Sequence, residues 1–227
     1  MEHTMKVIAR IHSDFPEKFG IPRQSGLVPA LRAKIVFEPE YRNPDALRGI
    51  EGFSHLWLIW QFSAAVRDTW SPMVRPPRLG GNERVGVFAT RSPFRPNAIG
   101  LSSVRLLDVE LHTPDGPVLH VAGADLVDGT PIFDIKPYLP YADCHMDATD
   151  AFAETRRDAP LQVVFPDEWL CMIPADKREA LFEVLALDTR PGYQHDPGRR
   201  YGFNYAGFDV RFTIDNDTLT VVEVVKL

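Results

Sequence analysis

From residue 5 to residue 135 the sequence is divided into short apolar segments by proline, glycine and asparagine. β-Branched and aromatic residues fill these segments, and such residues favour strands. Many short strands with brief connections and little helix predict a β-barrel or a strongly curved sheet. Asn43, Pro44 and Asp45 predict the start of one short helix that runs to about Ile50. We predict strands over residues 5–11, 33–37, 54–62, 84–90, 100–111, 118–126 and 131–135.

The remainder of the chain has a different pattern. Residues 137–160 are acidic and irregular, which is typical of a linker. Beyond them we predict a strand over 161–165, helices over 167–172 and 175–187, and a final hairpin from 208–214 and 219–225. Leu181, Val184 and Leu185 lie on one face of the second helix. The expected protein is mainly β, with a barrel domain over 1–145 and a small α+β domain over 160–227.

A basic stretch over residues 75–101 is unusual in a chain with a formal net charge of -6. It contains five arginines and one acid, Glu83, together with four prolines and four glycines. Planar guanidinium groups on turns suit a polyanion or a carboxylate-bearing ligand. A solvated basic loop beside a sheet is the alternative. The arginines are Arg75, Arg78, Arg84, Arg91 and Arg95.

Several familiar classes of protein are disfavoured by what the sequence lacks. It has no GxGxxG or P-loop pattern, which disfavours the common phosphate-binding folds, and no GxSxG elbow, which disfavours a serine hydrolase. It also has no HxxxH spacing, so we predict no metal centre. Cys144 and Cys171 provide no disulfide framework, which indicates a reducing compartment. The longest apolar run, 56–62, is far short of the ~20 residues that span a bilayer. We therefore expect a soluble, cytoplasmic protein with no membrane partner.

A polar corner over residues 125–130 leaves two interpretations open. Asp125, Asp128 and Asp134 could supply oxygen ligands to a hard cation. Lys136, however, is close enough along the chain to neutralise Asp134, and the two residues could form a same-face ion pair on a strand.

Six ordered segments carry a family resemblance. They are 22–27 (PRQSGL), 52–57 (GFSHLW), 75–82 (RPPRLGGN), 90–100 (TRSPFRPNAIG), 125–143 (DLVDGTPIFDIKPYLPYAD) and, more thinly, 188–193 (DTRPGY). Together they resemble the TsaA-like family of tRNA methyltransferases. The resemblance is dense over about residues 5–143, and it also extends to residues 201–212. Thr189 stands where the family pattern has proline.

The resemblance implies a single-sheeted β-barrel that works as a homodimer with S-adenosylmethionine as cofactor. The implied reaction methylates N6 of threonylcarbamoyladenosine at position 37 of tRNA. The implied cofactor contacts come from corners at strand ends, some through backbone groups. These residues are Pro22, Arg23, Gln24, Ser63, Ala64, Arg91, Leu101, Asp125, Leu126, Val127 and Asp128.

The same resemblance suggests where tRNA binds. Arg190 and Tyr193 are candidates for the target nucleotide, and Asp134 is a candidate for ordering the site or sharing in proton transfer. The anticodon stem-loop is expected to contact Arg75, Arg78, Arg84, Arg95 and Lys136. Two other functions stay open: a non-catalytic RNA-binding module that uses the basic stretch, and a metal-dependent phosphoester hydrolase built on the three aspartates.

Overall fold

A computed structural model describes residues 3–67, 69–76, 83–149, 159–188 and 198–227. Its first strands are β1 (Ala9–His12), β2 (Arg32–Phe37), β3 (His55–Gln61), β4 (Met73–Val74), β5 (Val85–Gly86), β6 (Ile99–Thr113), β7 (Gly116–Ala122) and β8 (Pro131–Pro137). Six of them close a barrel in the order β1-β2-β7-β6-β3-β8, and β8 pairs back with β1. Every neighbouring pair in the barrel is antiparallel. The predicted barrel is confirmed.

Alternating side chains fill the barrel. Along β3 the side chains of Leu56, Leu58 and Trp60 are buried inside, as the period-two geometry of a strand requires. The outward Trp57 is also half-buried, because its ring packs 5.5 Å from the ring of Tyr138. β3 is therefore apolar on both faces, as its sequence indicates, but only its inner face is fully covered.

Helix α1 (Pro140–Asp143) follows β8 within the segment predicted to be irregular, and Asp143 accepts a hydrogen bond from the Trp57 indole on β3. The C-terminal part has helices α2 (Asp167–Leu170) and α3 (Ala175–Ala186). Its strands are β9 (Gln162–Val164), β10 (Tyr201–Tyr205), β11 (Phe208–Asp215) and β12 (Thr218–Lys226), in the sheet order β10-β11-β12-β9. Leu181, Val184 and Leu185 of α3 are buried, as predicted. The sequence analysis missed β10 as a separate strand. No helix among the described residues is both long and apolar enough to cross a membrane.

The loop after β1 joins the two parts. Phe15, Val28 and Leu31 are buried in the same hydrophobic cluster as α3 and the C-terminal sheet. The ammonium of Lys177 on α3 lies 2.6 Å from the carboxylate of Asp14 in this loop. The domain bounds 1–145 and 160–227 remain a prediction, since the described structure does not include residues 150–158.

Two local predictions were wrong. The segment 84–90 is a two-residue strand followed by a 3-10 turn over Val87–Ala89, because both the amide and the hydroxyl of Thr90 donate to the Val87 carbonyl. Such side-chain bonds compete with strand pairing. The expected helix to Ile50 is instead two 3-10 turns, since Gly49 has a φ of 88° and interrupts it.

Candidate functional site

The turn that contains Pro22, Arg23 and Gln24 is fastened to the barrel just beyond Gln24. The Gly26 amide donates to the Gly123 carbonyl at 2.8 Å, and the Ser25 hydroxyl accepts from the Ser103 amide at 3.1 Å. A Cβ on Gly123 would lie 3.3 Å from the Gly26 backbone, so the contact is close. The 22–24 turn is therefore held where β6 begins and β7 ends.

Arg91 reaches this turn from the basic stretch. Its guanidinium donates a hydrogen bond to the side-chain oxygen of Gln24, 67 residues away in sequence. The other end of the Gln24 amide donates to the Arg23 carbonyl at 2.6 Å. The Arg91 side chain is exposed, so its remaining N–H groups are accessible to a ligand. Two of the corners expected from the resemblance thus meet.

A third corner joins them through Asp125, which ends a hydrogen-bonded chain from the barrel core. The Trp60 indole N–H donates to the Ser102 hydroxyl at 3.0 Å, and that hydroxyl donates to Asp125 Oδ1 at 2.6 Å. Burial raises the pKa of the Asp125 carboxyl above its ordinary value of 3.8. The Ser102 hydrogen bond and the charge of Arg91 both act in the opposite direction and are outweighed.

Asp128, only three residues further on, has different partners. Its carboxylate accepts from the Ser13 amide at 3.1 Å and lies 3.3 Å from His12 Nδ1. It borders a cleft of about 700 Å³ that α3 also lines through Lys177. Asp125 and Asp128 were expected at one corner. In the structure they contact different segments: Asp125 contacts Ser102 on β6, and Asp128 contacts Ser13 and His12 at the end of β1.

The residues between these aspartates present their backbone. The Leu126 carbonyl accepts from the Ser13 hydroxyl at 2.8 Å, while its side chain is 1 % exposed in the barrel core. The Val127 carbonyl accepts from the Thr130 hydroxyl at 2.7 Å. A role for Leu126 in ligand contact would therefore use its backbone rather than its side chain, whereas the Val127 side chain is only partly buried.

The remaining expected cofactor residues lie at the ends of β3 and β6. Ser63 and Ala64 form an exposed 3-10 turn directly after β3, and the Phe62 amide beside them donates to the Ala98 carbonyl at 2.9 Å. Leu101 is 52 % exposed and pairs with Ile59. The side chains of all three residues are exposed on the outside of the barrel.

Asp134 and Lys136 form the same-face ion pair that the sequence left open. Their charged atoms lie 2.8 Å apart on β8, and both side chains are substantially exposed. Asp134 also accepts from the Ile135 amide at 2.9 Å. Both carboxylate oxygens of Asp134 therefore have a partner on the same strand.

The expected RNA-contacting arginines differ in their surroundings. Arg75 follows β4 and Arg84 precedes β5, so both are exposed at the same end of the β4–β5 ladder. Arg95 donates to the Thr90 carbonyl at 3.3 Å. Arg78, Arg190 and Tyr193 lie outside the described residues. The chain leads toward the last two from Asp188, whose carbonyl accepts from Arg23 at 3.4 Å.

One group of side chains could hold a cation, although the sequence did not suggest it. Asp108, Glu110 and His120, on β6 and β7, place one ligand atom each within 4.8 Å of one another. His120 Nε2 is 3.3 Å from the Glu110 carboxylate, so an ion pair explains the arrangement equally well. Asp125, Asp128 and Asp134 contact separate partners and form no such group within the described part of the chain.

Sequence reasoning missed Ser25, Ser102 and Trp60 as parts of the site. A signal was present for Ser102, because it is a polar residue at an inward position between Gly100 and Val104 on β6. A buried polar side chain requires a partner, and here the partner is Asp125. No local pattern indicates that Ser25 faces β6, since that contact depends on how the loop docks.

Comparison with known proteins assigns both parts of the chain to one family. Residues 10–144 match the family model of the tRNA-methyltransferase O N-terminal domain, and residues 158–227 match that of the TrmO C-terminal domain. A tRNA (adenine(37)-N6)-methyltransferase of Escherichia coli K12 is 44 % identical over 91 % of this chain and 91 % of its own length.

Two further relatives come from Pseudomonas aeruginosa. One, RcsF, is named as a candidate S-adenosylmethionine-dependent methyltransferase and is 41 % identical over 99 % of this chain and 98 % of its own. The crystal structure of TrmO from this organism superposes with a TM-score of 0.81 at 36 % identity, covering 100 % of this chain and 98 % of the other. The relatives' names give the enzyme class and the cofactor that the resemblance implies: a tRNA methyltransferase and S-adenosylmethionine. The resemblance is confirmed, and the chain belongs to the TrmO family of tRNA methyltransferases.

Proposed function

We propose that this chain methylates N6 of threonylcarbamoyladenosine at position 37 of tRNA, with S-adenosylmethionine as methyl donor, as a homodimer in the cytoplasm. The observation that carries the proposal is the meeting of Arg91 with Gln24 beside Asp125. A guanidinium and a partly buried carboxylate at one rim suit a ligand that carries both a carboxylate and a cationic centre.

When bound, the cofactor supplies an electrophilic methyl group on a sulfonium. Arg91 would pair with its carboxylate, and Asp125 would accept from its ribose hydroxyls or face its positive charge. Ser63 and Ala64 are small and exposed and would leave room for it, whereas the buried Pro22 would act by making the 22–24 turn rigid. Holding the donor in line with the target nitrogen, away from water, accounts for much of the expected acceleration.

The target nitrogen carries a proton that must leave as the new N–C bond forms. Asp134 is the proposed group for ordering the site or taking part in this transfer, directly or through water. Asp134→Asn keeps the shape of the side chain but removes the charge that pairs with Lys136, so it tests whether the carboxylate is needed for the transfer. Loss of turnover with unchanged cofactor affinity supports the catalytic role, and full turnover excludes it.

Arg190 and Tyr193 are the proposed contacts to the target nucleotide, one through charge and one through stacking. Support comes from Asp188, which holds the preceding backbone against Arg23 in the 22–24 turn. Tyr193→Ala should slow methylation of modified tRNA and leave cofactor affinity intact, whereas normal turnover would remove Tyr193 from the site.

The homodimer is supported by exposed apolar side chains on one strand. Leu101, Leu107 and Leu111 of β6 are 52 %, 43 % and 39 % exposed. Apolar surface of this kind often marks a protein interface. Leu107→Glu should shift the sedimentation coefficient from dimer to monomer. An unchanged mass would place the interface elsewhere, and a monomeric wild-type protein would end the proposal of a homodimer.

Calorimetric titration of the protein with S-adenosylmethionine, without RNA, tests the cofactor site. Arg91→Ala should abolish binding, while Arg95→Ala, a neighbouring arginine with a backbone partner, should bind normally. Mass spectrometry of tRNA nucleosides from cells lacking the protein should then show loss of one methyl on the modified adenosine. An unchanged methyl content would refute the substrate.

A further inference from the structure

Two exposed aromatic side chains stand together beside the basic stretch. Trp70 is 50 % exposed and Phe88 is 73 % exposed, and their ring centroids are 6.1 Å apart with planes inclined by 30°. Large aromatic side chains usually lose most of their exposed area on folding. Packing within the described part of this chain does not explain why these two rings face solvent.

Backbone pairing holds the two rings side by side. Met73 of β4 pairs with Gly86 of β5, and the Val87 amide donates to the Pro72 carbonyl at 2.9 Å. Trp70 precedes this ladder on one strand, and Phe88 follows it on the other. The positions of the rings are therefore fixed by the ladder before any ligand binds.

Arginines are close to the pair along the chain. Residues 69–95 contain five arginines and one acid. Arg84 is exposed three residues before Val87, on the order of 10 Å from it at ~3.3 Å per extended residue. The Arg67 guanidinium lies 3.8 Å above the ring of Phe94. Exposed aromatic faces in an arginine-rich segment suit a phosphate-linked chain of π-systems.

The aromatic pair also adjoins the cofactor site. Phe88 lies in the 3-10 turn Val87–Ala89, which is closed by the Thr90 hydroxyl bond to Val87 at 2.8 Å. The next residue, Arg91, contacts Gln24. Phe88 is therefore three residues from a side chain proposed to hold the methyl donor.

We propose that Trp70 and Phe88 form a stacking platform for an unpaired nucleobase of RNA that neighbours the nucleotide being methylated. The proposal rests on the proposed function and adds a place on this chain for the loop of the RNA. An adenine presented to a methyl donor leaves its stack, and its neighbours then expose faces that aromatic side chains can cover. The arginines of this segment suit the phosphate backbone of RNA.

The test uses a short, fluorescently labelled RNA hairpin with a single-stranded loop and measures its Kd by anisotropy. Trp70→Ala and Phe88→Ala should each weaken binding about 5- to 150-fold, and Trp70→Phe should stay within about threefold because a ring remains. Trp70→Leu keeps apolar area without a π-face, so it should behave as the alanine variant does.

Salt dependence separates stacking from charge. Arg84→Ala should reduce the slope of log K against log salt by about one, whereas Trp70→Ala should leave the slope unchanged. An abasic position in the RNA loop should weaken binding to the wild-type protein and have no further effect on Trp70→Ala, if the missing base is the one that stacks.

The outcomes are distinct from those that test the reaction. If wild type binds the hairpin and methylates tRNA while Trp70→Ala and Phe88→Ala bind equally well, the platform is refuted and the proposed function stands. If these variants instead change from dimer to monomer in sedimentation, the rings belong to a protein interface and the platform is also refuted. If wild type fails to bind RNA at all, the proposed function itself fails.

Discussion

Gly100 is the residue whose substitution tests the link between the barrel core and the site most directly. It pairs across β3 and β6 with Trp60, and a Cβ at Gly100 would lie 2.3 Å from Trp60 Cε2 and 2.4 Å from Cζ2. The indole is 7 % exposed and cannot swing into solvent without leaving the core. Gly100→Ala must therefore displace the ring whose N–H donates to Ser102.

The cost can be worked from this geometry. Overpacking a core by a methyl group costs about 1–3 kcal/mol, and a protein of this size loses about 2–4 °C in Tm per kcal/mol. We expect Gly100→Ala to lower Tm by about 2–12 °C in differential scanning calorimetry. Displacement of the indole should also disturb Ser102 and Asp125, so calorimetric affinity for S-adenosylmethionine should fall as well.

A matched glycine provides the control. A Cβ on Gly52 would meet nothing within 4 Å, so Gly52→Ala should be neutral or gain up to about 1 kcal/mol through the unfolded state. In a Trp60→Leu background the penalty of Gly100→Ala should shrink by about 1 kcal/mol or more. Two results would contradict this reasoning. One is an equal change in Tm for Gly52→Ala and Gly100→Ala. The other is an equal loss of stability from Gly100→Ala with Trp60 and with Leu at position 60, which would show that contact between the new Cβ and the Trp60 ring is not the cause.

Three other perturbations follow from single contacts. Burial raises the pKa of Asp125 above 3.8, so the folded state binds a proton on this carboxyl more tightly than the unfolded state does. The protonated carboxyl stabilises the fold fully below about pH 4, and this stabilisation is lost as pH rises through the folded pKa. Asp125→Asn should therefore raise Tm more at neutral pH than at pH 4, and equal shifts in calorimetry would contradict the burial. Lys177→Met leaves Asp14 unpaired at a site where the side chains of Lys177 and Asp14 are 26 % and 17 % exposed. Urea titration should show that the free energy of unfolding falls by about 1–3 kcal/mol, less than the ~3–5 kcal/mol of a fully buried pair. An unchanged free energy of unfolding would mean that water replaces the lysine. Gly20→Ala combines a φ of +93° with a Cβ only 2.6 Å from the Phe203 ring, so it should lower Tm more than Gly52→Ala does, and a smaller effect would show that the loop shifts freely.

The barrel could be predicted from sequence because proline and glycine separate the strands and the alternation of side chains within each strand is local. What could not be predicted is the register between strands distant in sequence. Trp60 faces Gly100 only because β3 and β6 pair in one register, and that register brings the indole to Ser102. A shift by one residue would turn Ser102 away from the barrel interior.

The polar corner at 125–128 illustrates a second limit. Sequence proximity predicts that Asp125 and Asp128 act together, yet one binds Ser102 and the other binds Ser13 and His12. Leu126 causes this split, because its side chain is anchored in the core and fixes the backbone between the two carboxylates. Whether nearby acidic residues form one site therefore depends on which residues between them have side chains buried in the core.

The contacts that assemble the rim are made within the chain itself. The Arg91–Gln24 bond, the Gly26–Gly123 bond and the Ser102–Asp125 bond join segments that are far apart in sequence. A site assembled in this way loses little ordering entropy when its ligand binds. The partly buried Asp125 carboxylate lowers stability at neutral pH, and such a cost is typical where a protein keeps a charged group ready for function.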